Sequence, residues 1–528
     1  MSFCNKSKQV HYLRVMIVCL LSFLLCCNSS NSNTNNEDDL TTTGGAEMSY
    51  LCSEHYNPWC VPLHQAAADE NSYIKINMGY INAANTCNVA DDEILYASHS
   101  TSSYDITDEF FQILQSSNSS CLGDGEDQCC CQNEYGIGIV GNHINEEATA
   151  MIDDLQSSCE DYMIPTGSST DGHHTHCKVM QVETKDDSGD KVYYSAHGSL
   201  NMQPVGMTCK GNNVIRFKEI SPSKDLYTYF KYLWESVKHD DGEQFPDTGT
   251  SQSSGTTLDE VSLETTDHGT YSIKFYAGKA ELFVGGAESL DDNWPDYINP
   301  PVHGEHASGH ISFYDLILYD AYQLLYGALD NPTVKLYIAV YEIAEESSFI
   351  DTLWKFAGKA AEDNKSLSVT LYYQYDKGAL DAAQEVSRDN ITVIQSWGPN
   401  DKTPTQNQMH NKFMLLDVVD NSKYRKLYVT SSNLDEAGDG SGKLWQVGTR
   451  ITNVTDWGSS SENVDDNLWA AYKNYFDVLT EYDSGTTQID LINDMVALHE
   501  ADDMNYIETS SGEAGIDAFF FPAPITFE

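Results

Sequence analysis

His410-Asn411-Lys412-Phe413-Met414-Leu415-Leu416-Asp417 and His176-Cys177-Lys178-Val179-Met180-Gln181-Val182-Glu183 follow one pattern: a histidine, any residue, a lysine, four residues and an acid. Past its lysine each stretch is apolar enough to be a strand. On a strand, residues i and i+2 point the same way. His176 therefore shares a face with Lys178, and His410 with Lys412. Glu183 and Asp417 stand at an odd offset from their histidines, which turns them to the other face and gives them a structural part. A single stretch of this kind is common. Two in one chain point to an internal repeat.

Downstream, 186–190 is Asp/Ser/Gly turn chemistry, so the first stretch opens a hairpin whose second strand is 192–196. That strand returns Ser199 and Asn201 to the His/Lys end. Residues 421–424 turn the second hairpin and return Ser431 and Asn433. Asn201 follows His176 by 25 residues (201 − 176) and Asn433 follows His410 by 23 (433 − 410). Two residues further on stand Gln203 and Asp435. A carboxylate at Asp435 is suited to fix the tautomer of His410 and stabilise its imidazolium. Gln203 is the matching amide, which orients an imidazole without stabilising its charge. The two histidines are therefore expected to differ in basicity. Two such units face to face bring two His, two Lys and two Asn into one small site. Lysines and amides cradle a phosphate there, and the imidazoles serve as nucleophile and acid.

On these residues the chain resembles the phospholipase D superfamily, whose signature is His-x-Lys-x4-Asp twice in one chain. The likeness spans most of residues 85–480. It implies an α/β fold of two similar sandwich halves, each a mixed β-sheet flanked by helices, packed around a pseudo-twofold axis with one active site between them. It implies His176, Lys178 and Asn201 with His410, Lys412 and Asn433 as the catalytic set. One histidine, taken as His176, attacks phosphorus and forms a phosphohistidine. The other, His410, protonates the leaving alcohol and then activates water or a second alcohol. No metal or other cofactor is implied. Glu183 stands where the signature has Asp, and Thr430-Ser431 where Gly-Ser is common.

The flanking sequence supports the layout. In the second half, 334–340, 367–375 and 391–397 read as strands, with helical spacing of Phe349, Ile350, Leu353, Trp354 and Ala357 between the first two. In the first half, 94–97 and 136–140 read as strands around a helical pattern at 106–114. Each half closes alike: a strand at 214–217 then a helical stripe from Leu226 to Val237, and a strand at 447–452 then a stripe from Leu468 to Leu479. Stripes of that kind are core.

Of 528 residues, 29 are Lys or Arg and 80 are Asp or Glu, a formal net charge of −51. That balance excludes a generic basic nucleic-acid binder and leaves room for a local cationic pocket holding one phosphate. With 40% hydrophobic residues, wholesale disorder is excluded too. Lys6, Lys8 and Arg14 precede a short apolar run, 15–25, and then small polar residues. This reads as a signal peptide, residues 1–27, in preference to an anchoring helix or a lipoprotein site at Cys27. A flexible leader, 28–48, follows. Export makes disulfides expected among the ten cysteines from Cys52 to Cys209. The layout is then a cysteine-rich first half, 49–238, a linker or long loop, 239–270, and a second half, 271–528. His173-His174-Thr175-His176 lacks a carboxylate or cysteine partner at ligand spacing, so no metal is expected.

The reading is a secreted phosphodiesterase that resembles phospholipase D and cleaves a glycerophospholipid, at a membrane or micelle surface, to phosphatidate and a head-group alcohol. A secreted nuclease of the same superfamily and an inactive binding protein are the alternatives. A nuclease gains from a cationic track, which this chain has few cations to build. No obligate protein partner is expected.

Overall fold

The computed structural model describes residues 58–59, 62–63, 65–66, 73–81, 137–144, 146, 148–150, 163–165, 174–186, 188–203, 206–207, 209–220, 256–257, 261–265, 269–279, 283–284, 311–345, 347–384, 386–397, 408–419, 421–434, 444–453, 467–484, 488–500, 504–507 and 514–523. The signal peptide and leader, the expected elements at 94–97, 106–114 and 226–237, His173 and Asp435 lie outside the described residues.

In chain order the strands begin with β1 (Tyr73–Ile81), β2 (Ile137–Ile144), β3 (Met163–Pro165), β4 (His174–Thr175), β5 (Lys178–Lys185), β6 (Lys191–Gly198) and β7 (Asn212–Ile220). Then come β8 (Thr256–Thr257), β9 (Val261–Thr265), β10 (Gly269–Lys279), β11 (Phe283–Val284), β12 (Ile311–Ser312), β13 (Thr333–Ile343), β14 (Ser366–Asp376) and β15 (Ile391–Gln395). The last are β16 (Lys412–Val418), β17 (Lys426–Thr430), β18 (Leu444–Asn453), β19 (Tyr506–Ile507) and β20 (Gly515–Phe521). The helices are α1 (Asp315–Gln323), α2 (Ser348–Glu362), α3 (Ala379–Gln384), α4 (Leu468–Thr480) and α5 (Gln488–Glu500).

The fold is α/β, with two mixed sheets and flanking helices. The sheets repeat one another strand for strand. The first runs β3-β2-β1-β5-β6-β7-β20 and the second β15-β14-β13-β16-β17-β18-β10. In each, three parallel strands lead into an antiparallel run. Each His-x-Lys stretch enters the same central strand, β5 or β16.

Two departures from the expected layout follow from the pairing. The seventh strand of the first sheet is the C-terminal β20, paired along its length with β7, so residues 271–528 do not fold as one self-contained half. The segment 239–270 is not wholly loop either, because β8 and β9 pair with β10 at the edge of the second sheet.

Strand alternation divides the core into three layers. Phe413 and Leu415 of β16 point with Cys177 and Val179 into a central core shared by both sheets and by Tyr472, Tyr475 and Phe476 of α4. Met414, Leu416 and Val418 face the other way, against α1 and α2. Met180 and Val182 face the outer layer of the first sheet, with Ile74, Ile76 and Met78. Both α2 and α4 start at side-chain caps: Ser347 accepts from the Ile350 N–H, and Asn467 from the Ala470 N–H.

The sheets also exchange chain. Just ahead of His176, β4 pairs with β18 of the second sheet. Just ahead of His410, Met409 bridges to Gly211, the residue before β7 of the first sheet. Each histidine is thus delivered by a segment held in the opposite sheet.

Candidate active site

Lys178 and Lys412 open the central strands β5 and β16. They are 2% and 0% exposed. Each ammonium donates to the backbone carbonyl of its own histidine, Lys178 Nζ to His176 O at 2.8 Å and Lys412 Nζ to His410 O at 3.1 Å.

The imidazoles are oriented crosswise. Nδ1 of His176 lies 3.1 Å from Oε1 of Gln446 on β18. Nδ1 of His410 lies 3.1 Å from Oδ1 of Asn212 on β7 and 2.9 Å from the Ser199 carbonyl oxygen. The amides are fixed in turn by the serines. Ser431 Oγ donates to Gln446 Oε1 at 2.9 Å, and Ser199 Oγ donates to Asn212 Oδ1 at 3.0 Å. Asn212 Nδ2 donates to the Gly206 carbonyl at 2.8 Å, which settles which amide atom faces the imidazole. Acceptors at Nδ1 place the hydrogen there, so in the neutral ring Nε2 carries the lone pair.

Burial, then the Lys178 and Lys412 charges, hold the His176 imidazole well below its ordinary pKa, against the opposing pull of its bonds to Gln446 and Ser431. Burial lowers His410 likewise, joined by Lys412, Lys178, Lys210 and His176. Each histidine feels both motif lysines, so the four groups form one electrostatic unit. Two buried ammonium groups suit an anion, which an imidazole neutral at Nε2 can attack on one side while the other imidazole, once it has taken up a proton at Nε2, protonates the leaving group on the opposite side.

Of the other expected residues, Asn201 and Asn433 are buried. Asn201 Oδ1 accepts from the Tyr80 N–H at 3.3 Å, and Asn433 Nδ2 donates to Glu342 Oε2 at 3.4 Å. Glu183 pairs with Lys191 and Asp417 with Arg425 (2.8 Å for the latter), each across its own hairpin. Gln203 sits in a turn, its backbone N–H bonded to the Asn201 carbonyl at 2.9 Å. The amide facing His176 is Gln446 rather than Gln203.

Sequence reasoning missed Gln446, Asn212, Lys210 and Tyr341. Tyr341 packs its ring 5.0 Å from that of His410 and lies under the Lys412 ammonium at 5.2 Å. Its hydroxyl accepts from Gln408 Nε2 at 3.0 Å. The two amides did carry a signal: each stands 36 residues past its own half's histidine (212 − 176 and 446 − 410).

No protein-family model matches the sequence, and no curated protein matches it. Among solved structures, the polyphosphate kinase of Porphyromonas gingivalis superposes with a TM-score of 0.42 at 10% identity over 80% of this chain. This chain spans about half of that kinase, 49% of its length. A mutant of yeast tyrosyl-DNA phosphodiesterase superposes with a TM-score of 0.34 at 11% identity, over 74% of this chain and 84% of that one.

Proposed function

We propose that this chain is a phosphodiesterase whose two halves share one active site, and that it hydrolyses a glycerophospholipid in the manner of the phospholipase D superfamily it resembles. The observation that carries the reading is the crossed pairing of His176 with Gln446 and of His410 with Asn212. Neither histidine has its orienting partner without the other half, as a shared site requires. In the proposed reaction, His176 Nε2 attacks phosphorus and the P–O bond to the head group breaks. His410 enters this step as the imidazolium, and the departing oxygen takes its Nε2 proton. Water then attacks the phosphohistidine, giving its proton back to His410 and releasing phosphatidate. Lys178 and Lys412 offset charge on the non-bridging oxygens throughout.

Export, a lipid surface as partner and a lipid rather than a polynucleotide substrate belong to the same proposal. The choice of lipid rests on charge, since a chain at −51 favours a substrate engaged through one phosphate rather than many. The test is incubation with phosphatidylcholine micelles plus a primary alcohol, and separately with single-stranded DNA, all in EDTA. A phosphatidyl-alcohol product supports the reading, because transfer needs a covalent phosphoenzyme. DNA cleavage alone replaces lipid with polynucleotide, and no turnover of either removes the activity.

A further inference from the structure

Lys210 stands two residues before Asn212, the amide that orients His410, and one before Gly211, whose carbonyl accepts the His410 backbone N–H at 2.7 Å. It is half-buried, and its charge reaches the His410 imidazole. Several other described cations on or beside the sheets have acidic partners: Lys191 with Glu183, Arg216 with Asp517, Arg425 with Asp417, Lys426 with Asp320. Among the described residues no acid pairs with Lys210, in a chain with 80 acids to 29 Lys and Arg. Burial lowers its ammonium to about 8.

The repeat shows that the fold does not need this charge. Asn212 and Gln446 occupy equivalent places, so the counterpart of Lys210 is Leu444, which opens β18 beside His174. The lysine marks only the His410 side. A half-buried cation with no described partner is costly unless an anion arrives to meet it.

We propose that Lys210 is a specificity-determining residue which binds a second negative charge on the substrate, beside the scissile phosphate, and so selects a glycerophospholipid with a carboxylate-bearing head group over one with a choline cation. The proposal rests on the phosphodiesterase reading above. It has a chemical corollary. The Lys210 charge opposes a proton on His410, and a substrate anion offsets it, so binding of the right substrate helps His410 hold the proton that the leaving oxygen takes.

The test compares the wild-type protein with Lys210→Met and Lys210→Arg. In neutral-detergent mixed micelles, kcat/KM is measured for phosphatidylserine and for phosphatidylcholine at equal mole fraction. In parallel, calorimetry measures the binding of inorganic pyrophosphate and inorganic phosphate. The expected result is a wild-type preference for phosphatidylserine that Lys210→Met lowers by about tenfold, the worth of one hydrogen bond to a charged group. Lys210→Arg keeps the preference, and pyrophosphate affinity falls in Lys210→Met more than phosphate affinity. Equal losses for both lipids and both ions, or no change, overturn the proposal. If the wild type cleaves neither lipid, the phosphodiesterase reading for lipids falls, and calorimetry still decides: selective loss of pyrophosphate supports the second-anion site, and non-selective loss removes it.

Discussion

Nδ1 of His176 meets Oε1 of Gln446 at 3.1 Å, across the two sheets. The partner is an amide, which orients the ring without holding a proton on it. The same is true of Asn212 at His410. Replacing either amide by the isosteric carboxylate adds an opposite charge beside the imidazolium and should raise that histidine's pKa. If His176 attacks as the neutral base, Gln446→Glu moves the acid limb of the kcat/KM profile to higher pH. If His410 is the acid, Asn212→Asp moves the alkaline limb instead. Profiles shifted in the opposite pairing would exchange the two roles, and unmoved profiles would end the idea that these amides set basicity.

Wild-type activity should peak on the acid side. Burial and the two buried lysines hold both imidazoles well below 6.5. In the proposed reaction the alkaline limb marks loss of the proton from His410, so it should fall at that lowered value rather than at an ordinary histidine's. A kcat/KM profile from pH 4 to 9 should therefore be declining already at pH 7. A plateau through pH 8 would show that the acid's pKa is not lowered.

The covalent step separates the histidines directly. His176→Ala should remove the nucleophile and with it any phosphoenzyme. His410→Ala should slow turnover by about 10²–10⁴-fold, the usual worth of general acid–base catalysis. With an activated leaving group, which needs no proton, it should still form the phosphoenzyme and accumulate it. Acid-labile, base-stable label in denatured protein is the readout. Label found in His176→Ala and not in His410→Ala would reverse the assignment.

Much of this was legible in the sequence, for a physical reason. The His-x-Lys stretches, their hairpins and α4 are periodic apolar segments whose burial pattern follows from alternation or helical spacing. What escaped was either half-polar or non-local. In β1, Lys75 and Asn77 alternate with Ile74, Ile76 and Met78, so the strand lacks the continuous apolar run of β13, and the first half was expected to open at 94–97 instead. Nothing local in the apolar stretch Phe519–Phe521 says that it pairs with β7. Gln446 and Asn212 escaped because their function exists only across the sheets. A hydrogen bond between residues 270 apart leaves no mark on spacing within one motif. Only the shared 36-residue interval hinted at it.

Close approach of the sheets depends on Gly211. A Cβ there would lie 2.9 Å from Asn411 Nδ2 and 3.1 Å from Trp397 Cη2. Asn411 has little freedom to yield, since its Nδ2 donates to the Tyr475 hydroxyl at 2.9 Å. Gly211→Ala should cost about 1–3 kcal/mol, as overpacking does. It should also lower kcat at temperatures where the variant is fully folded, because the His410 N–H bonds the Gly211 carbonyl. Urea denaturation with kinetics on the same samples checks both. A stability loss with unchanged kcat would mean that this contact holds the sheets together without setting the position of His410.

The return of β20 to the first sheet is fastened by a buried ion pair. Arg216 and Asp517 face each other in register on β7 and β20, with Nη2 to Oδ2 at 2.7 Å and Nε to the same oxygen at 2.8 Å. Their side chains are 2% and 0% exposed. Arg216 also donates to the Pro58 carbonyl at 3.0 Å and lies 4.9 Å above the Phe519 ring. Asp517→Ala strands a buried guanidinium and should cost about 3–5 kcal/mol. Removing both charges with Arg216→Met and Asp517→Leu should recover much of that loss, because the desolvation of two ions disappears with them. A double-mutant cycle in urea measures the coupling. If the double variant is no more stable than Asp517→Ala, what holds β20 is the hydrogen-bonding geometry of Arg216 rather than the need to neutralise its charge.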